Sequence, residues 1–187
     1  MGHRLSKIYT RTGDTGSTGL ADGSRVSKSS LRIATLGDID ELNSALGMLL
    51  AMELPSGIDK QLLEVQHDLF DLGGELAIPG SLLLPIAASE RIETWIDAYN
   101  ETLPPLKEFV LPSGPQGTGN CHFARAVCRR AERSLVGLAA TTEISVEALK
   151  YLNRLSDLLF VLARVLARAN GGQEFMWDRK RFVSPVG

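Results

Sequence analysis

The 187-residue sequence predicts an all-α fold: an up-and-down five-helix bundle with a four-helix-bundle core. Five segments carry apolar residues at helical spacing, short Pro- and Gly-containing stretches separate them, and no run alternates convincingly as a strand would. The last segment is apolar around most of its circumference. Such a helix belongs at the centre of a bundle, and its second apolar flank suits burial in another subunit.

Taken in order, residues 1–30 read as an irregular N-terminal segment, residues 31–170 as the helical bundle and residues 171–187 as a tail with no assigned place. Within the first, Gly13, Gly16, Gly19 and Gly23 alternate with Thr10, Thr12, Thr15, Ser17 and Thr18. Glycines let successive N–H groups converge and hydroxyls add donors, which suits phosphate oxygens. Arg11 and Lys28 supply positive charge, and Asp14 could hold a Mg²⁺ that bridges phosphates. The stretch is neither a Walker A loop nor a dinucleotide fingerprint. Its composition equally suits a flexible arm.

The first helix, 31–52, carries Ile39, Leu42, Leu46 and Leu49 on one face, with Asp40, Asn43 and Gly47 off it. Leu54-Pro55-Ser56-Gly57 ends it. The second, 58–77, carries Leu62, Val65, Leu69, Leu72 and Leu76, and Pro79-Gly80 stops it. Ser89 reads as the N-cap of the third, which contains Ile92, Trp95, Ile96 and Tyr99 and ends before Pro104-Pro105. A short apolar piece, Phe109-Val110-Leu111, runs into a Gly/Pro loop and then the fourth helix, 118–140. Ser145 caps the fifth, 146–169, whose polar stripe is Asn153, Asp157, Arg164 and Arg168.

On the fourth helix Arg125, Arg129, Glu132 and Arg133 share an arc of roughly 100°, while Ala124, Val127, Cys128, Ala131 and Leu135 form an apolar arc. Three guanidinium groups beside one carboxylate suit a polyanion such as a triphosphate. A solvated face laced with ion pairs accounts for the same pattern. Cys121 and Cys128 lie seven apart on this helix, about 10 Å along its axis and too far for a disulfide. A net charge of −2 argues against bulk nucleic-acid or membrane-surface binding. No apolar run reaches the roughly 20 residues of a membrane span, and a reducing cytoplasm is the expected compartment.

Five motifs then occur in order: Tyr9-Thr10-Arg11-Thr12-Gly13-Asp14-Thr15-Gly16, Gly37-Asp38-Ile39-Asp40-Glu41-Leu42-Asn43, Phe109-Val110-Leu111-Pro112-Ser113-Gly114, Cys128-Arg129-Arg130-Ala131-Glu132-Arg133 and Tyr151-Leu152-Asn153-Arg154-Leu155-Ser156-Asp157. Together, over about residues 7 to 178, they resemble the PduO-type ATP:cob(I)alamin adenosyltransferases, also called corrinoid adenosyltransferases. The resemblance implies a homotrimer that binds ATP, with Mg²⁺, and cobalamin or a related corrinoid where subunits meet. Thr10, Arg11, Thr12, Gly13, Asp14, Thr15, Gly16, Ser17, Thr18 and Lys28 then correspond to the ATP loop. Arg129, Glu132, Arg133 and Asn153 resemble its partners on the helices. Arg125 and Asp40 match an ion pair across the subunit boundary, and Phe109 matches the aromatic beneath the corrin. Arg129, Arg125, Asp40 and Phe109 are the implied catalytic set, with no protein metal ligand assigned. Thr15 departs from members that carry Lys there.

The implied reaction moves the 5′-deoxyadenosyl group of ATP to the cobalt of cob(I)alamin and releases triphosphate. Cob(I)alamin is itself the nucleophile, so no Ser-His-Asp or Cys-His arrangement is needed, and none is evident. An apolar wall at Phe109 would keep a ligand and water from the lower face of the corrin, which eases reduction to that state. An electron-donating flavoprotein is the implied partner. A non-catalytic corrinoid or ATP sensor and a phosphotransferase are the rival readings, and the products released tell the three apart.

Overall fold

The computed structural model describes residues 8–115 and 117–181. Residues 1–7 of the N-terminal segment, Gln116 and residues 182–187 of the tail lie outside the described residues. The five expected helices are α1 (Leu31–Leu50), α2 (Ile58–Ala77), α3 (Ala88–Asn100), α4 (Thr118–Ala139) and α5 (Val146–Arg168). Each pairs with neighbours along its apolar stripe: α2 on α1, α1 on α4, α4 on α5 and α5 on α3. On α4 the small Ala124, Cys128 and Ala131 are fully buried, and small side chains at a contact let two helix axes approach closely. α5 is the hub, with Leu152, Leu155, Leu158, Leu159 and Leu162 fully buried.

Polar side chains close the bundle where apolar packing does not. Buried Asp68 of α2 accepts from the Tyr151 hydroxyl of α5 at 2.8 Å and from Arg91 of α3. The Tyr99 hydroxyl of α3 donates to Gln61 of α2. Buried Glu75 accepts from the Leu83 and Leu84 amides and from the Ser145 hydroxyl. Ser145 is the expected N-cap of α5, accepting from the Ala148 amide at 3.1 Å.

Four local expectations are corrected. Ser89 is not the cap of α3: a turn closed by Ala88 N–H on Pro85 O starts the helix earlier, and the Ser89 amide donates to Glu147 of α5. Asn43 is buried rather than off the core, exchanging side-chain-to-backbone hydrogen bonds with Gln66. Arg164 is not part of an open polar stripe but is buried against Glu174. The N-terminal segment contains a small antiparallel hairpin, β1 (Ser17–Gly19) with β2 (Arg25–Ser27). Its turn is closed by Asp22, whose carboxylate accepts from the Ser24 amide and hydroxyl. Strands of three residues are too short to show an alternation in sequence.

Candidate active site

The fourth helix presents the expected basic face, but the structure splits the expected residues into two groups. At one end of the arc, Arg125 lies with its guanidinium 5.3 Å from the Phe160 ring centroid. Both line a cavity of about 640 Å³ that Phe109, Val110, His122 and Asp157 also line. Phe109 and Arg125, distant in sequence, therefore share one wall system because residues 106–112 fold back over α4 and α5. A slightly larger cavity, about 790 Å³, lies around Glu53, Leu103 and Arg168 and contains none of the expected site residues.

One and two turns further along α4 come Arg129, Glu132 and Arg133. Asn153 of α5 donates to Glu132 at 2.9 Å, and Arg154 donates to the Asn153 side-chain Oδ1 at 2.7 Å. Arg133 donates to the Arg129 backbone carbonyl. Glu132 and Asn153 thus orient each other, while Arg129 keeps an exposed side chain with no hydrogen bond or ion pair among the described residues.

The Gly/Thr loop is built rather than loose. One Arg25 nitrogen donates to Thr12 O, Ser17 O and the Ser17 hydroxyl, tying both limbs of the loop together. Thr10 and Thr12 share a hydroxyl contact, the Gly16 amide closes a turn on Gly13 O, and the Lys28 amide donates across the base of the hairpin to Gly16 O. Gly16 has φ +84°, a conformation that favours glycine. A Cβ on Gly13 would stand 3.1 Å from the Lys28 ammonium nitrogen, so the absent side chain admits that charge. Arg11 is held at φ +60°, with its guanidinium near the Tyr9 ring. Asp14, Thr15 and Thr18 lie on this loop, Asp14 and Thr15 exposed and Thr18 paired with Val26.

Among the described residues, no hydrogen bond or ion pair joins this loop or Lys28 to Arg129, Glu132, Arg133 or Asn153. Nor does Asp40, exposed on α1, pair with Arg125 within the chain. The thiols are inert. Cys121 is fully buried, donates to Leu159 O, and burial pushes it up to about 12. Burial likewise raises Cys128, with Glu132 adding to the effect. Burial, then the Arg125 charge, lowers His122 and keeps its ring neutral near pH 7.

Residues 8–166 match the family described as cobalamin adenosyltransferase. The chain belongs to that family. It is 57% identical over 182 residues to a cobalamin adenosyltransferase from Cupriavidus metallidurans, covering 97% of this chain and 99% of the relative. A corrinoid adenosyltransferase from Mycobacterium leprae is 45% identical, covering 95% and 98%. Among solved structures, a variant PduO-type ATP:corrinoid adenosyltransferase from Lactobacillus reuteri, complexed with cobalamin and ATP, superposes with a TM-score of 0.88. It is 33% identical, covering 91% of this chain and 99% of that one.

Within this cobalamin adenosyltransferase-family chain, some contacts were not singled out from sequence. Arg130 donates to Asp38 at 2.9 Å and to Glu41, joining the second and fourth motifs across α1 and α4. Glu41, then Asp38, hold the Arg130 guanidinium above its ordinary range. Arg25 was not assigned either, because its role depends on carbonyls eight and thirteen positions away. The oppositely signed residues inside the second and fourth motifs are the available signal for Arg130.

Proposed function

We infer that the chain transfers the 5′-deoxyadenosyl group of ATP to the cobalt of a corrinoid and releases triphosphate. The observation that carries this reading is the shared helix α4. It puts Arg125 on the cavity that Phe109 lines and, one to two turns on, presents Arg129, Glu132 and Arg133 to a polyanion. That is a two-substrate arrangement, with one end walled by the Phe109 and Phe160 rings and the other presenting exposed guanidinium groups. The buried, protonated cysteines offer no protein nucleophile. The cobalt(I) lone pair attacks C5′, the C5′–O bond breaks, and its electron pair leaves with the triphosphate. Arg129 and Arg133 offset the charge that develops on that oxygen. Phe109 presents a face without a ligand atom to the corrin and excludes water.

Residues 10–18 and Lys28 bind the triphosphate as the N-terminal unit of one functional domain, residues 31–170 supply the bundle and residues 171–187 the tail. No group of three His, Cys, Asp or Glu side chains suited to a metal occurs among the described residues. The single exposed Asp14 fits a Mg²⁺ that arrives with the nucleotide, since this ion is commonly held by one carboxylate plus substrate phosphates. Bound there, it would neutralise phosphate charge. Because the loop and the α4 cluster are not joined within one chain, we place the loop against α4 of a neighbouring subunit in a homotrimer, with Asp40 meeting Arg125 across the boundary. No helix among the described residues is long and apolar enough to cross a membrane; a cytoplasmic enzyme supplied with electrons by a flavoprotein fits this reading.

The test is an anaerobic assay with chemically reduced cob(I)alamin and ATP. Adenosylcobalamin and triphosphate in equal amounts are expected. Release of ADP would establish phosphotransfer instead, and binding without either product would establish a sensor.

A further inference from the structure

We propose that the C-terminal segment 173–177 is a strap that sets the position of Phe109, making Glu174 and Trp177 positioning residues for the corrinoid half of the site. The proposal rests on the corrinoid reading of the Phe109 cavity and adds residues to it.

The strap is anchored by a buried charge. The Glu174 carboxyl group is 1% exposed and accepts from Arg164 Nε at 2.6 Å and from Arg168 at 3.2 Å. Arg164, 6% exposed, uses a second nitrogen to donate to Pro104 O at 2.7 Å, at the start of the connection that carries Phe109. Removing one partner of such a pair leaves an uncompensated buried charge, so the anchor has little freedom to slip. The backbone leading to it is equally constrained. Asn170 and Gly171 adopt φ +53° and +79°, turning the chain off α5. A Cβ on Gly172 would stand 2.3 Å from Ala167 O, so only glycine fits the return path.

From Glu174 the chain pairs with the Phe109 stretch as an isolated antiparallel bridge, Val110 with Met176. The Leu111 amide donates to Phe175 O at 2.8 Å and the Trp177 amide to Phe109 O at 2.7 Å. The Trp177 ring meets the Phe109 ring edge-on, centroids 6.3 Å apart. Phe109 itself is 76% exposed. Its ring is therefore not fixed by burial in the helical core. Its backbone and its ring are both held from the strap, while the Gly/Thr loop and Arg129 make no contact with it through hydrogen bonds or ion pairs among the described residues. A displacement of the strap should move the corrinoid wall and leave the nucleotide groups in place.

The experiment uses the full chain in a Trp95→Phe background, which leaves Trp177 as its single tryptophan. Glu174→Gln and Trp177→Ala are compared with their parent for kcat, for KM of cob(I)alamin and of ATP, and for thermal melting. Quenching of Trp177 emission by added cobalamin is also read in the parent and in Glu174→Gln. Both variants should raise the cobalamin KM about tenfold, less than the roughly hundredfold that a full ~1 Å misplacement can cost, with the ATP KM within about twofold. Trp177→Phe, which keeps a ring edge on Phe109, should restore most of the loss. A merely structural role would lower melting temperature without separating the two KM values. Trp177→Ala exposes no buried charge, so it decides the matter if Glu174→Gln folds poorly. Phe109→Ala separates the two levels of the argument. If it changes cobalamin KM while both strap variants leave that KM unaltered, the positioning proposal is overturned and the corrinoid reading stands. If Phe109→Ala also leaves cobalamin use unaltered, the corrinoid reading of the cavity falls and the proposal with it.

Discussion

Replacing Arg129 by alanine should remove most of the catalytic rate and almost none of the stability. The Arg129 side chain is exposed and has no hydrogen-bond or ion-pair partner among the described residues; only its backbone carbonyl is used, by Arg133. Truncation therefore opens no core cavity and strands no buried partner. Surface changes of that kind stay within about 0.5 kcal/mol, which for a chain of this size is a melting shift of about 2 °C or less. A charge-assisted hydrogen bond to phosphate contributes about 1.5–3 kcal/mol. If it strengthens as the triphosphate leaves, the loss in kcat is about tenfold to somewhat above a hundredfold. The assay is the anaerobic cob(I)alamin-to-adenosylcobalamin conversion at saturating ATP, with melting followed by circular dichroism on the same preparations. A turnover within about threefold of the parent would refute the assignment of the α4 arginines to the triphosphate. A large melting shift would refute the argument that this side chain has no structural partner.

Three other outcomes are expected. The Cys121→Ala/Cys128→Ala variant should keep most of its activity, since both thiols are buried and protonated; complete loss of activity with the assembly intact would reveal a thiol role. Mixing inactive Asp40→Arg chains with inactive Arg125→Asp chains should restore some activity, because in the homotrimer proposed above each mixed assembly carries one native Asp40–Arg125 boundary and one with the charges exchanged. A fully active monomer on a sizing column would end the shared-site model. Stability should fall as pH drops below the ordinary histidine value of 6.5, in part through His122, whose folded pKa is lowered by burial and by Arg125. The sign follows because the unfolded chain binds that proton first. His122→Gln should flatten this part of the curve, and an unchanged slope in denaturant titrations between neutral and mildly acidic pH would count against the neutral buried imidazole.

How much was legible varies with how local the cause is. The interior of every helix could be read, since a 3.6-residue period needs only the neighbouring turns to declare which face is buried. Leu62, Val65, Leu69, Leu72 and Leu76 show this on α2, and all five are in the core. The α4 face was read correctly for the same reason, down to the separation of Cys128 from Arg129. Ser145 succeeded as a cap and Ser89 failed, although both are serines near a helix start. The difference is the turn closed by the Ala88 amide on Pro85 O, which starts α3 at Ala88 and leaves Ser89 inside the helix rather than at its cap.

By itself, then, the sequence determined the five helices, their buried faces, the polyanion-suited arc and, through five ordered motifs, the family. Tertiary structure alone decided that Arg164 is a buried anchor rather than part of a wet stripe, and that the tail holds the Phe109 stretch. It also decided that Arg130 of α4 locks onto Asp38, 92 positions earlier. These outcomes share a physical reason. A lone charge reads as solvated until a partner of opposite sign is brought to it, because desolvating it unpaired costs more than exposure. That partner is delivered by tertiary packing, from another helix for Arg130 and from the returning tail for Arg164, and it carries no periodic mark in the local sequence.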